Sequence, residues 1–216
     1  MSVVIIDYGS GNLRSAEKAF ERAASERNLK DAIVVSSDPM RVARADRIVL
    51  PGVGAFADCM TGLASTTGMV EALKEAVLRR GVPLLGVCVG MQLFATRGLE
   101  HVETEGLDFI PGVVSAIEVD DPALKIPHMG WNVLEEVNAH PVMKGIPLGP
   151  DGLHAYFVHS YAIRPNSSDD LVATTDHGET FAAIVGRDNI VGTQFHPEKS
   201  QTLGLALIGN FLTWTP

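Results

Sequence analysis

Leu84-Leu-Gly-Val-Cys88-Val-Gly-Met-Gln92 passes from an apolar strand pattern, through Gly86-x-Cys88-x-Gly90, into a short helical pattern at Met91, Leu93 and Phe94. This is the thiol counterpart of the G-x-S-x-G elbow, in which a strained strand-to-helix turn lifts a nucleophile above a sheet. Glycines two residues to either side keep Cβ atoms away from a backbone that turns sharply and packs closely. A thiol at the mouth of a helix also has its anion favoured by the helix dipole. The segment alone reads equally well as a buried structural cysteine, because free cysteines are among the most buried residues.

The sequence before the elbow alternates strand and helix patterns. Residues 3–7 form a β-branched run, and residues 12–28 carry Leu13, Ala16, Phe20 and Ala23 at helical spacing. Residues 33–36 and 48–50 read as short buried strands. Residues 69–80 place Val70, Leu73, Val77 and Leu78 on one predicted helix face, which stops at Gly81. Residues 84–87 are then the fourth strand, delivering Cys88. Such alternation predicts an α/β fold with a central, mostly parallel sheet between helices, and sites at the carboxyl ends of its strands.

After Phe109 the pattern changes to shorter runs at 113–119, 155–163, 172–175, 181–185 and 190–195. These predict a mixed or antiparallel extension of the same sheet, with an additional smaller antiparallel sheet region, and residues 202–214 an apolar closing helix. With no repeat and no low-complexity linker, one domain over residues 1–216 is expected.

The composition narrows the classes of function. Residues are 46% hydrophobic and 20% charged, as in an ordinary folded protein. The net charge of −9, without a Lys/Arg cluster, argues against a nucleic-acid surface. No apolar run approaches the roughly 18 residues that span a bilayer. The start at Val3-Val-Ile-Ile6 looks like a strand rather than a signal peptide, and two cysteines make no disulfide framework. A reducing cytoplasm is the expected setting.

A cysteine nucleophile needs a base, and the base needs an orienting acceptor. Gly192-Thr-Gln-Phe-His196-Pro-Glu198-Lys-Ser200 offers both: His196 at a strand end, Pro197 to stop the strand, and Glu198 to accept from one ring nitrogen. The other histidines read more simply as structural, with His159 the best placed among them. An oxyanion hole needs two N–H groups near the sulfur. The Val89 amide is one candidate; Leu50-Pro-Gly-Val-Gly54, a glycine-rich turn beside the elbow, supplies the other at Val53.

Together these segments resemble the class I (triad) glutamine amidotransferases: Gly86-x-Cys88-x-Gly90-Met-Gln92 looks like the nucleophile motif and His196-Pro-Glu198 like the His-Glu motif. Ile6-Asp-Tyr-Gly-Ser-Gly-Asn-Leu13, Pro51-Gly-Val-Gly54, His128-Met-Gly-Trp-Asn132 and Phe157-Val-His-Ser-Tyr161 narrow the resemblance to the glutaminase subunits of imidazole glycerol phosphate synthases. It spans essentially the whole chain. Relatives often carry Leu where Val89 stands, but only its amide is required.

The resemblance implies that Cys88 attacks the side-chain amide of L-glutamine, with His196 and Glu198 completing the triad. Gly54, Gln92, Ser160 and Tyr161 would hold the substrate. Ammonia would pass to a (β/α)8-barrel cyclase subunit, forming a heterodimer for histidine biosynthesis, with Asn12, Trp131, Tyr156 and Lys199 near the interface. It implies no cofactor, no metal, no nucleic acid and no membrane. A Val53 peptide resting with its N–H turned away would keep the isolated subunit slow. Rival readings are a triad glutaminase of another pathway, a non-catalytic relative, and a cysteine hydrolase of peptides or esters; the intact triad argues against the second, and Gln92 against the third.

Overall fold

The computed structural model describes residues 1–30 and 32–216. In chain order the first half builds β1 (Ser2–Ile6), α1 (Leu13–Glu26), β2 (Ala32–Ser36), α2 (Pro39–Arg44), β3 (Arg47–Gly52), α3 (Phe56–Ser65), α4 (Met69–Lys74), β4 (Leu84–Cys88) and the single turn α5 (Val89–Gln92). The second half adds β5 (Arg97–Gly98), β6 (Thr104–Glu105), β7 (Gly112–Ala116), β8 (His128–Asn132), β9 (Glu135–Glu136), β10 (Ala155–His159), β11 (Tyr161–Pro165), β12 (Leu171–Asp176), β13 (Thr180–Arg187), β14 (Ile190–Thr193) and α6 (Gln201–Thr213).

The large sheet runs β2-β1-β3-β4-β14-β13-β12-β9. Its first five strands are parallel, and the last three join antiparallel. The parallel strands β1, β3 and β4 are buried almost throughout, which is why they read as continuous apolar runs rather than alternations. Because β3, β4 and β14 are parallel neighbours, their carboxyl ends emerge side by side. Gly52–Val53 and Cys88 lie at the first two ends, and His196 follows the third.

The helices cover the sheet through predictable faces. In α1, Ala16, Phe20, Ala23 and Ala24 are buried, and Phe20 meets Phe211 of α6 edge-on at 6.3 Å. The helix stops where Asn28 takes a left-handed φ of 56° and Leu29 N–H bonds back to the Ala24 carbonyl. In α6, Leu203, Leu207, Ile208, Phe211 and Leu212 are fully buried, each side chain contributing about 1.5–3 kcal/mol.

Three expectations change. The helix over 69–80 is α for one part only: from Glu75 it widens to i→i+5 winding, with Arg80 N–H on the Glu75 carbonyl. The wider turn rotates the following face, so Val77 is buried while Leu78 points to solvent. The run 155–163 is two strands, broken at Ser160: β10 pairs with β8 in a two-stranded sheet, and β11 with β7 in a separate four-stranded one. These runs therefore leave the large sheet instead of extending it. Two helices, α2 and α3, fall outside the sequence reading, although Asp38 capping Met40 N–H at 2.9 Å with Pro39 behind it is a legible start signal for α2.

Candidate active site

Cys88 sits at the last residue of β4 with φ +55° and ψ −114°, a left-handed backbone that costs strain for any side chain. The glycines around it are required by contact. A Cβ on Gly90 would collide with the Leu50 carbonyl, and one on Gly86 would press on the Met91 backbone at 2.8 Å. The strand-to-helix turn therefore packs directly on β3, and the sulfur is presented at the sheet edge. Cys88 is only 4% exposed.

His196 leaves β14 through two anchored residues and is held by its backbone: its N–H donates to the Tyr156 carbonyl at 3.0 Å, and its carbonyl accepts from Ser200 Oγ at 2.7 Å. Pro197 to Lys199 then form one 3₁₀ turn that folds Glu198 back. Glu198 Oε1 lies 2.9 Å from His196 Nδ1, both side chains being almost wholly buried. Cys88, which lines the same cavity, is near enough to favour a proton on the ring. Burial works against a charged His196, yet Cys88 and Glu198, with their negative charge, prevail, and its pKa rises to about 9. The arrangement suits an imidazolium held on Glu198 beside the sulfur.

A cavity of about 560 Å³ opens onto this edge, lined among others by Val53, Gly54, Cys88, Val89, Gln92 and His196. Ser160 and Tyr161 line it from the β10–β11 break, and Lys199 from the rim. All the expected catalytic, oxyanion-hole and substrate-binding positions line this cavity except Glu198, which stands behind His196. Gln92 Nε2 donates to the Tyr161 carbonyl at 2.8 Å and to Gln194 Oε1 at 3.1 Å, and Gln194 Nε2 reaches Cys88 Sγ at 3.8 Å.

The Val53 N–H is engaged elsewhere. It donates to Ser10 Oγ at 3.0 Å, and Ser10 Oγ donates to the Val53 carbonyl at 2.7 Å. Cys59 Sγ lies 3.3 Å from the same hydroxyl and 3.4 Å from the same carbonyl. Ser10 is outside the cavity lining, so this N–H is bonded to a group that does not line the space in front of Cys88.

The four positions expected at a partner surface are distributed unevenly. Trp131 is 48% exposed and meets Tyr156 edge-on at 5.6 Å, while Lys199 Nζ lies 5.9 Å from the Tyr156 ring centroid. Those three form one patch, which meets the cavity at Lys199. Asn12 precedes α1 and borders a small void with Val53, His196 and Glu198. The sequence reading missed Glu100 and His101, which also line the cavity, as well as Gln194 and Ser10. Gln194 and Ser10 stand inside segments already singled out, but only the fold shows what they touch; Glu100 and His101 carry no local signal.

No helix among the described residues is long and apolar enough to cross a membrane. The sequence pattern of the class-I glutamine amidotransferase family matches residues 4–213. The chain is similar along its whole length, and theirs, to the imidazole glycerol phosphate synthase subunits HisH of Agrobacterium fabrum, at 60% identity over 216 residues, and of Rhodopseudomonas palustris and Brucella abortus, both at 59%. A solved glutamine amidotransferase superposes with a TM-score of 0.69 at 16% identity, covering 94% of each chain. Another, from Thermotoga maritima, superposes at 0.62 and 18% identity, covering 92% of this chain and 76% of its own. At such identities the structural likeness is one of fold.

Proposed function

Because the chain belongs to the class-I glutamine amidotransferase family, we propose that it is the glutaminase subunit of an imidazole glycerol phosphate synthase, working in the cytoplasm as a single domain over residues 1–216. The full-length identity to HisH subunits supports the pathway. The observation that carries the chemistry is the buried relay Glu198–His196–Cys88 at the mouth of the cavity.

Cys88 attacks the side-chain carbonyl carbon of L-glutamine, and the oxygen takes up negative charge. The Val89 amide, first in its helical turn, donates to that oxyanion. His196 gives its proton to the departing amide nitrogen, which leaves as ammonia, and a glutamyl thioester remains. Water, losing a proton to His196, then attacks the thioester; glutamate leaves and the thiolate returns. Both Gln92 amide hydrogens are spent inside the protein, which leaves its Oε1 for the substrate ammonium, with Gly54, Ser160 and Tyr161 around it. Ammonia passes to a (β/α)8-barrel cyclase seated on Asn12, Trp131, Tyr156 and Lys199, in a heterodimer.

The second oxyanion donor is withheld in the free subunit. The bond from Val53 N–H to Ser10 Oγ takes the donor out of play. Missing one such donor costs about 10²–10³ in rate. Partner binding favours the turned peptide by its differential affinity. Assaying glutamine turnover with and without a barrel cyclase and an analogue of its ribulosyl substrate tests this: stimulation by both is expected, and full activity of the isolated subunit overturns the regulatory half. Ser10→Ala, which frees the Val53 N–H, is expected to raise partner-free turnover about tenfold, a fraction of the full donor effect.

A further inference from the structure

The mechanism leaves unused a buried row of polar side chains running from β8 to the cavity. Its hydrogen positions follow from its two ends. Asn132 Oδ1 accepts from Val133 N–H at 2.8 Å, and Nδ2 donates to the Asp176 carbonyl at 2.7 Å, which fixes the amide's orientation. The second Nδ2 hydrogen is therefore what faces His128 Nε2 at 3.2 Å. At the far end His159 Nδ1 lies 2.9 Å from the Tyr161 carbonyl, which can only accept. Between them His128 Nδ1 and His159 Nε2 are 3.1 Å apart.

One assignment satisfies all three contacts: Asn132 donates to His128, His128 to His159, and His159 to Tyr161. Both rings are neutral and both carry their hydrogen on Nδ1. A proton on either Nε2 would set two donors face to face. Burial, foremost, keeps both rings from charging. Stacking fixes the His128 plane, with His177 at 4.2 Å and Phe157 at 4.8 Å from its centroid. The terminal carbonyl is the one that also accepts from Gln92, whose other hydrogen goes to Gln194 beside Cys88.

We propose that His159, its tautomer set from β8 by Asn132 and His128, is a positioning residue for substrate binding, holding the Tyr161 carbonyl and through it Gln92. This rests on the glutamine reading of the cavity. The same strand β8 exposes Met129 and Trp131 on its outer side, so the row links that surface to the substrate pocket.

Two measurements on the full-length protein test it. Nitrogen NMR of histidine-labelled wild type is expected to show two neutral rings at pH 6–7 with protonated Nδ1 and bare Nε2; Nε2–H or charged rings there would overturn the assignment. In complex with its cyclase, His159→Leu, which removes the donor, is expected to raise KM for glutamine roughly tenfold with kcat nearly unchanged, as loss of a buried hydrogen bond predicts. His159→Asn, which keeps an N–H near the Nδ1 position, is expected to restore KM. Asn132→Asp, at a half-buried site, sets an acceptor before His128 Nε2; it is expected to draw the neutral ring to its Nε2–H form, which reverses the row, and to raise KM. Unchanged KM in folded His159→Leu and Asn132→Asp variants would overturn the role. A wild type that turns over no glutamine under any condition would instead overturn the glutamine reading, with the tautomers still readable.

Discussion

His196 and His159 line the same cavity, both buried, yet they are held at opposite ends of the imidazole range. His196 is raised to about 9, whereas His159 is lowered to about 3 and its neighbour His128 to about 4. Burial pushes all three down. What separates them is the company at the ring: Glu198 and Cys88 supply negative charge to His196, while His159 meets a backbone carbonyl and other imidazoles. Depth in the protein thus does not decide charge; the partner on each nitrogen does.

That contrast can be attacked from either side. Cys88→Ala removes the reacting sulfur and one support of the imidazolium. Glutamine use is expected to fall by at least about 10⁴-fold, while product formation from added ammonia by the complex survives; an ammonia assay of the complex checks it, and loss of both activities would contradict separate sites. Glu198→Gln keeps the shape and removes the charge. The expected loss in kcat is about 10²-fold or more. In the wild type the protonated His196 that serves the leaving ammonia is lost as pH rises through about 9, and in this variant the alkaline fall in rate should move to lower pH. A pH–rate profile that does not move would mean that Glu198 is not what holds the proton.

The neutral pair gives the smaller effect, with the opposite sign. Their folded pKa values lie below the unfolded value near 6.5, so the unfolded chain binds more protons once the pH drops beneath it. Stability is therefore lost as pH falls from about 6.5 toward 4, by about 2–3 kcal/mol at pH 4.5 for a ring as shifted as His159. Urea unfolding at pH 7 and 4.5 checks this, and the loss should shrink in His159→Asn.

Much of the site was legible early because its signals are local. The glycines two residues from Cys88 report a turn packed on β3, and His196-Pro-Glu198 reports a base with its acceptor one 3₁₀ turn away. The alternation through residues 3–88 predicted parallel strands, and β1 to β4 lie in one sheet accordingly. The family and the α/β class follow from the same motifs. Less legible was the second half, where the same short apolar runs serve three different sheets, and pairing rests on distant partners.

The chain order of residues carries which side chains exist, how each turn bends, and therefore that a cysteine, an imidazole and a carboxylate are available on strand ends. It does not carry hydrogen-bond direction across elements far apart in the chain. The tie between Ser10 and Val53 spans 43 residues and that between His128 and His159 spans 31. A polar contact of that kind depends on angles and on a few tenths of an ångström, so it arises only once packing has fixed the two elements against each other.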